Sequence, residues 1–343
     1  MSIRPDEFIE SLYKKNQPKY GFDCKSEREW FTWREDLKGV IVEKLGGFPE
    51  EKIELEAEIK EEVEMDGYIR QKVVYQVMDF LEMPAYVLIP DNKKNKYPTV
   101  LACHGHGYGN KEIVGLNVDG TGDNLNDPGC HNNFALELVK RGFLVLVPEF
   151  LGFGDCKLSE DKSKAADKPS CEKLSTTLLM YGKTLAGIRV FEAVRALDYL
   201  NTRMDVNQCQ IGLMGFSGGG LIAAFTAAIE ERIKAVVIAG YTNTFKNAIM
   251  SVHHCIDNYI PGILSYAELS DIIGLIAPRP LFIESGREDP IFPIEGVEKA
   301  YRRVKKIYQF IDAENSLGKN FFTGGHQVDG EKSFQWLEYW LKS

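Results

Sequence analysis

A serine between glycines is the first feature of the sequence that could carry chemistry. Ser217 lies in the run Gly-Phe-Ser-Gly-Gly at 215–219, after the apolar run 211–214 and before an alanine-rich helical pattern. Flanking glycines allow the strained backbone and the close helix-to-strand contact of a turn that projects a serine from its tip. A plain flexible turn is the alternative. Three consecutive glycines before a helix are costly to order, however, so Ser217 is a candidate nucleophile.

A serine hydroxyl needs a base to take its proton and a third group to orient that base. His326 lies in a glycine-flanked loop, and Asp289 lies in a turn after the preceding strand pattern. Both should reach the same sheet edge as Ser217, in the order serine, aspartate, histidine. Glu284 and Glu288 are rival acids, but Glu284 belongs to the strand itself and Glu288 should point away. Ordinary surface or turn-capping roles are the alternatives for the histidine and the aspartate.

The oxygen of an attacked carbonyl needs fixed backbone donors, each worth about 3 to 4 kcal/mol of barrier. One predicted donor is the amide of Gly218, directly after the serine, and the other is the amide of His106 in the glycine-rich loop 104–110. The side chains of His104 and His106 could instead form a metal pair. No carboxylate or third histidine lies at ligand spacing, so we expect both to shape the loop and predict no metal and no cofactor.

The remaining histidines and polar loops suggest less. His253 and His254 lie near Asp257 and are predicted to contact substrate or to pack, whereas His131 has no predicted role. The acidic positions at 119–127 do not have the spacing of an EF-hand, so a solvated loop is favoured over calcium. Because long loops in a compact domain are uncommon, the loops 108–133 and 155–175 are expected to border the site.

The pocket residues are the least determined part of the prediction. Tyr108, Phe216 and Tyr259 are the predicted substrate-binding residues, and Phe153 and Ile260 are further aromatic or apolar candidates. Which of these side chains point inward decides the depth of the pocket. Periodicity alone does not settle that orientation.

The elements that must position these residues alternate between strands and helices. Period-two patterns predict antiparallel strands at 53–59, 68–77 and 80–89, with a turn at 66–67. Short apolar runs predict parallel strands at 99–103, 143–148, 211–214, 233–239 and 279–285, and a last strand at 306–312. Helical spacing predicts helices at 134–141, 177–201, 294–307 and 334–341. This order predicts an α/β fold whose mostly parallel, twisted sheet carries helices on both faces and binds ligands at the carboxyl edge.

The flanking segments complete a single predicted domain, residues 1–343. Apolar and aromatic positions in residues 1–48 predict an N-terminal helical arm that packs on the main body. Residues 241–276 interrupt the strand-helix alternation with aromatics and a Pro-Gly turn, and are predicted to form a small cap over the strand ends.

Composition limits the partners. The 343 residues carry a formal net charge of −9, which argues against nucleic-acid and membrane-surface binding. Seven scattered cysteines without a Cys-x-x-Cys pair favour reduced thiols over disulfides or zinc. With no signal-peptide pattern at the N-terminus, we expect a cytoplasmic protein that acts on a small molecule. The sequence leaves open whether the chain forms a homo-oligomer.

Five motifs together resemble a known family. The sequences His104-Gly105, Gly215-Phe-Ser-Gly-Gly219, Ala277-Pro-Arg-Pro280, Gly286-x-x-Asp289-x-x-x-Pro293 and Gly325-His326 are similar to those of the α/β-hydrolase superfamily. Within it, the chain resembles the dienelactone hydrolase-like and acetyl xylan esterase-like branch, over about residues 80–341.

That resemblance implies a serine esterase acting through an acyl-enzyme, with Ser217 as nucleophile, His326 as base and then acid, and Asp289 orienting it. Dienelactone hydrolases carry a cysteine nucleophile, and the serine here favours ordinary esters. Acetyl is the leading acyl group, and acetylated sugars are candidate substrates. A peptidase or amidase with the same triad and a non-catalytic binding protein on this scaffold are the alternatives.

Overall fold

A nine-stranded sheet forms the centre of the computed structural model, which describes residues 4–92 and 94–343. The strands are β1 (Glu58–Met65), β2 (Tyr68–Met78), β3 (Leu81–Pro90), β4 (Tyr97–Cys103), β5 (Leu144–Pro148), β6 (Val206–Phe216), β7 (Ala235–Ala239), β8 (Leu281–Gly286) and β9 (Leu317–Phe322). Their order across the sheet is β1-β2-β3-β5-β4-β6-β7-β8-β9. The pairs from β1 to β5 are antiparallel, and the six strands from β5 to β9 run parallel.

Ten α-helices in the described residues surround the sheet. They are α1 (Pro5–Lys15), α2 (Glu27–Lys44), α3 (Asn110–Ile113), α4 (Phe134–Lys140), α5 (Cys171–Met180), α6 (Leu185–Thr202), α7 (Gly218–Ile229), α8 (Leu269–Gly274), α9 (Ile294–Phe310) and α10 (Glu331–Lys342). None of these helices is both long enough and apolar enough to cross a bilayer.

Two apolar cores lie on the two faces of the sheet, because successive strand residues point to opposite sides. Leu101 and Leu213 belong to the core that also takes buried residues from α2, α6, α7, α8 and α9. Their neighbours Val100 and Met214 belong to the core that includes α4 and α10. The predicted α/β-hydrolase architecture, with helices on both faces of a mostly parallel sheet, is confirmed.

The predicted elements differ from the observed ones at three places. The first strand is β1, which lies later than 53–59. The helix expected at 177–201 is divided between α5 and α6, and Thr184 caps α6 by accepting a hydrogen bond from Gly187. The last strand is β9, because 306–312 largely continues α9. The apolar side chains of Ile307 and Tyr308 are buried from a helix face, where they imitate a short strand pattern.

The N-terminal arm consists of two unlike helices. Trp30, Trp33, Leu37 and Ile41 of α2 are buried in the main core. By contrast, α1 buries no residue, and its apolar side chains Phe8, Ile9 and Leu12 are exposed. Within residues 1–48, α2 therefore packs on the main core, whereas α1 makes polar contacts such as the hydrogen bond from the Tyr13 hydroxyl to Glu268.

Candidate active site

The turn between β6 and α7 holds Ser217 in a strained conformation. Its φ of 54° and ψ of −120° lie in a region that non-glycine residues rarely adopt. A Cβ at Gly215 would lie 2.0 Å from the carbonyl oxygen of Gly219, and one at Gly219 would lie 2.0 Å from that of Cys103. Glycine is therefore required at both positions for the strand and helix to approach each other, as the spacing predicted.

Three side chains from distant parts of the sequence meet at this turn. The Oγ of Ser217 lies 2.9 Å from Nε2 of His326, and Nδ1 of the same ring lies 2.7 Å from Oδ2 of Asp289. A carboxylate can only accept, so a neutral His326 carries its proton on Nδ1. Nε2 is then the acceptor for the serine hydroxyl, which is the arrangement a base needs to activate it.

Two backbone amides fix the carboxylate of Asp289. Its Oδ1 accepts hydrogen bonds from the amides of Ile291, at 2.8 Å, and Phe292, at 2.9 Å. Burial raises the pKa of the Asp289 carboxyl, but the hydrogen bond and charge of His326, together with these amides, lower it more. The net pKa lies below the ordinary aspartate value, so the carboxylate stays ionised beside the imidazole.

Two aromatic rings pack against the imidazole of His326. The ring centroid of Phe216 lies 4.8 Å from that of His326, and the ring of Phe292 stacks on it at 5.6 Å with an interplanar angle of 19°. Both phenylalanines are almost fully buried. Their packing limits rotation of the imidazole and keeps its two nitrogens directed at the hydroxyl and the carboxylate.

The loop after β4 is shaped by His131, for which the sequence suggested no role. Nε2 of His131 accepts a hydrogen bond of 2.9 Å from the amide of Gly105, and Nδ1 lies 2.8 Å from Oε1 of Glu112. The ring is completely buried. The amides of His106 and Gly218, the two predicted oxyanion donors, take part in no hydrogen bond among the described residues.

The rival carboxylates lie outside the hydroxyl–imidazole–carboxylate arrangement. Glu288 is exposed. Glu284 is buried in β8, where its Oε1 accepts hydrogen bonds from the amides of Asp329, at 3.1 Å, and Gly330, at 3.3 Å. Burial raises the pKa of Glu284 to about 7. It therefore supports the chain just after His326.

A cavity of about 300 Å³ opens over the serine. Ser217, Gly218 and His326 lie in its wall, together with His106, Cys130, Phe216, His253, His254, Cys255, Asn258, Ile291 and Phe292. Phe216 is thus placed where the sequence predicted a substrate contact. Among the described residues, Tyr108 and Tyr259 are not part of this wall. The Tyr108 hydroxyl donates to the carbonyl of Leu116, and that of Tyr259 donates to the carbonyl of Ile249.

The predicted loop histidines differ in their surroundings. His104 is buried with its Nε2 at 3.2 Å from Oε1 of Glu149. His106 turns towards residues 241–276, where its Nε2 lies 3.3 Å from Oδ2 of Asp257. The expectation that no carboxylate lies within ligand reach of His106 is therefore wrong, because Asp257 approaches through folding. Burial opposes the charged form of His106, but Asp257 and Cys171 outweigh it and raise the pKa of His106 to about 9.

The strand order of the sheet, the tight turn that carries Ser217 between β6 and α7, and the three side chains that meet there together define an α/β-hydrolase. We call this turn the nucleophile elbow. The model of the Abhydrolase family matches residues 3–313, so the chain belongs to this family. A Bacillus subtilis (strain 168) protein named "Putative hydrolase YtaP" is 30% identical over 270 residues, covering 75% of this chain and 83% of that protein. The family match ends before His326, which the structure brings to the serine.

Solved structures share the fold at low sequence identity. A Bacteroides fragilis protein titled "putative acetyl xylan esterase" has a TM-score of 0.78 and 19% identity, covering 94% of this chain and 83% of that chain. A glucuronoyl esterase from Solibacter usitatus has a TM-score of 0.67 and 15% identity, covering 95% and 98%. Both likenesses extend over nearly the whole chain.

Proposed function

We propose that this protein is a serine hydrolase that cleaves carboxylic esters through an acyl-enzyme. The observation that carries the proposal is the continuous chain from Ser217 Oγ through His326 to Asp289, with separations of 2.9 and 2.7 Å. Such an arrangement activates a hydroxyl that is otherwise barely nucleophilic. The esterase titles of the two structural neighbours add support from relatives of the same fold.

In the first half of the proposed reaction, Oγ of Ser217 attacks the ester carbonyl carbon while its proton moves to Nε2 of His326. Asp289 stabilises the imidazolium that forms. The negative carbonyl oxygen is met by the amides of Gly218 and His106, which have no other partner among the described residues. Collapse of this intermediate breaks the bond to the alcohol oxygen, which takes the proton from His326 and leaves.

In the second half, water replaces the alcohol. His326 removes a proton from the water, whose oxygen attacks the acyl carbon bound to Ser217. The same two amides stabilise the second negative oxygen. When the acyl–oxygen bond to Ser217 breaks, its Oγ recovers the proton from His326 and the carboxylic acid is released. The residues thereby return to their starting state.

We further propose that the acyl group is short, with acetyl as the leading candidate and acetylated sugars as the substrate class. The cavity of about 300 Å³ is at the small end of ligand pockets and is shared between the acyl group and the alcohol. A cytoplasmic setting is part of the proposal. It is supported by seven cysteines that are all unpaired in the structure, since oxidising compartments favour disulfides.

Hydrolysis of p-nitrophenyl acetate, butyrate and octanoate by the full chain tests the proposal. We expect the highest kcat/KM for acetate, and Ser217→Ala should lower kcat by about 10⁴-fold or more. The exposed Ser159→Ala is the matched control and should retain wild-type turnover. A fluorophosphonate probe should label the wild type and the control, but not Ser217→Ala.

Other outcomes would distinguish the alternatives. Faster cleavage of an anilide than of the matching ester would favour a peptidase or amidase. Absence of both turnover and probe labelling would favour a binding protein on a hydrolase scaffold. Activity that survives Ser217→Ala would contradict the proposed mechanism, whatever the substrate.

A further inference from the structure

Four side chains with metal-binding atoms meet beside the loop that carries His106. The other three are Cys171, Cys255 and Asp257, and the four ligand atoms all lie within 4.8 Å of one another. They come from three segments: the loop after β4, the first turn of α5, and residues 241–276. Only the last two residues are close in sequence, so the cluster exists only in the folded chain.

Two of the separations between ligand atoms match those of a tetrahedral zinc site. Nε2 of His106 lies 3.3 Å from Oδ2 of Asp257, and Sγ of Cys171 lies 3.5 Å from the same oxygen. Tetrahedral zinc with its usual bond lengths would place nitrogen and oxygen ligands about 3.3 Å apart, and sulfur and oxygen ligands about 3.5 Å apart. Both observed distances agree with this geometry.

Charge and hydrogen bonding around the cluster also suit a dication. Arg189 donates hydrogen bonds to Oδ2 of Asp257 and, at 3.1 Å, to Sγ of Cys171. Asn258 donates to the second oxygen of Asp257 at 2.8 Å. With zinc bound, both cysteines would be thiolates, and together with the carboxylate they would carry three negative charges, which Zn²⁺ and the buried guanidinium would balance. Such outer hydrogen bonds orient ligands and keep them deprotonated.

One nitrogen in the cluster lacks a hydrogen bond. Nε2 of His106 is buried and has no hydrogen-bond partner among the described residues, although it lies close to Asp257. A buried polar atom without a partner calls for an explanation, and a bound ion is one of the usual ones.

We propose that His106, Cys171, Cys255 and Asp257 form a structural zinc site. Two sulfurs, an imidazole nitrogen and a carboxylate oxygen select zinc over the harder cations, and four protein ligands close the site to substrate. The zinc would link the glycine-rich loop 104–110, here called the oxyanion loop, and α5 to residues 241–276. Residues of this last segment contribute to the cavity wall. The zinc is a positioning element that touches no reacting atom. This departs from the sequence-based prediction of no metal.

Metal content of the full chain tests the site. The protein is purified under reducing conditions and analysed by inductively coupled plasma mass spectrometry, both as isolated and after removal of metal and addition of one equivalent of Zn²⁺. We expect about one zinc per chain. Cys171→Ser and Cys255→Ser should each weaken zinc binding at least about tenfold. Cys209→Ser, an exposed cysteine elsewhere on the surface, should bind zinc like the wild type.

A second measurement uses the wild type alone, and therefore does not depend on the variants folding. Replacement of zinc by Co²⁺ should give the intense visible bands of a tetrahedral site together with thiolate-to-metal charge transfer. The proposal would be overturned if the purified protein contained no zinc and took up none when Zn²⁺ was added. It would also be overturned by Co²⁺ spectra without thiolate bands, or by full zinc binding in the double variant Cys171→Ser/Cys255→Ser. A Cys171–Cys255 disulfide with no zinc uptake after reduction would also overturn it.

Discussion

Two imidazole–carboxylate pairs lie close to the turn that carries Ser217, and their different neighbours suit them to different chemistry. His326 and Asp289 are joined at 2.7 Å, with a serine hydroxyl at the other ring nitrogen. His106 and Asp257 approach to 3.3 Å, with two cysteines and a guanidinium around them. The first pair can pass a proton from hydroxyl to ring and back.

In the described residues, no hydroxyl is hydrogen-bonded to the second pair. It presents nitrogen, oxygen and sulfur atoms to a common centre, which is the arrangement that holds a metal ion. The comparison shows that a histidine beside an aspartate does not define a role. In the roles proposed above, the third neighbour makes the imidazole a base in one pair and a ligand in the other, and that neighbour comes from a different part of the chain in each case.

The sharpest test of this contrast exchanges one carboxylate oxygen in each pair. Asp289→Asn should lower kcat by about 10⁴-fold, because an amide favours the wrong tautomer of His326. Asp257→Asn should lower kcat by about tenfold or less, because Asp257 acts only through the position of the loop that carries His106. The same variant should contain less zinc than the wild type. Turnover of p-nitrophenyl acetate and metal analysis of both variants provide the measurements. Equal losses of kcat would remove the distinction between the pairs.

A third pair, His131 with Glu112, sharpens the comparison because, in the part of the chain that the structure describes, neither side chain is hydrogen-bonded to a hydroxyl or belongs to the proposed zinc site. His131→Ala should lower kcat by about 10²-fold with little change in KM, because the freed amide of Gly105 lets the oxyanion loop move. Leaving that buried amide unsatisfied should also cost about 1 to 3 kcal/mol of unfolding free energy. Kinetics and denaturant unfolding measure the two effects. An unchanged kcat in a destabilised variant would limit His131 to a purely structural role.

Glu284 provides the smallest effect, as a buried carboxyl without an imidazole partner. Burial raises its pKa to about 7 from the ordinary 4.5, so the folded state favours the protonated form. Its stabilising contribution is present below about pH 4.5 and is lost as the pH rises through about 7. The glutamine does not titrate, so the difference in free energy of unfolding between Glu284→Gln and the wild type should shift in favour of the variant as the pH rises. The expected shift between pH 5 and pH 8 is about 1 to 3 kcal/mol.

Chemical denaturation at several pH values measures this change. The exposed Glu288→Gln is the matched control and should follow the pH dependence of the wild type. A Glu284→Gln variant whose stability runs parallel to the wild type over this range would show that burial does not favour the protonated carboxyl.

The sequence was most informative where local patterns demand one geometry. The elbow could be predicted because Gly215 and Gly219 are required by contacts within a few residues or with the adjacent strand. The catalytic candidates could be placed at one edge because parallel strands share their carboxyl ends. The last strand was misplaced because Ile307 and Tyr308 fit either a buried strand or a helix face, and a short apolar run does not distinguish them.

Local pattern failed where a role depends on partners brought from far along the chain. His131 has no neighbouring motif, and its role arises from Gly105 and Glu112. Similarly, the proposed ligand set around His106 has no short spacing that could be recognised, apart from Cys255 and Asp257, which are separated by one residue. The exposed apolar face of α1 shows the same limit, because helical periodicity identifies an apolar face and leaves open whether anything covers it.

By itself, the sequence determined most of the alternation of strands and helices and the glycine turn around Ser217, and it singled out Ser217, Asp289 and His326 as the catalytic candidates. Hydrogen-bonded geometry and hydrophobic periodicity are local, so they can be read from neighbouring residues. Only the tertiary structure decided which carboxylate meets which imidazole, which aromatic rings hold His326, and which thiols surround His106. These pairings depend on distances between segments that become close only when the sheet and both of its cores are assembled.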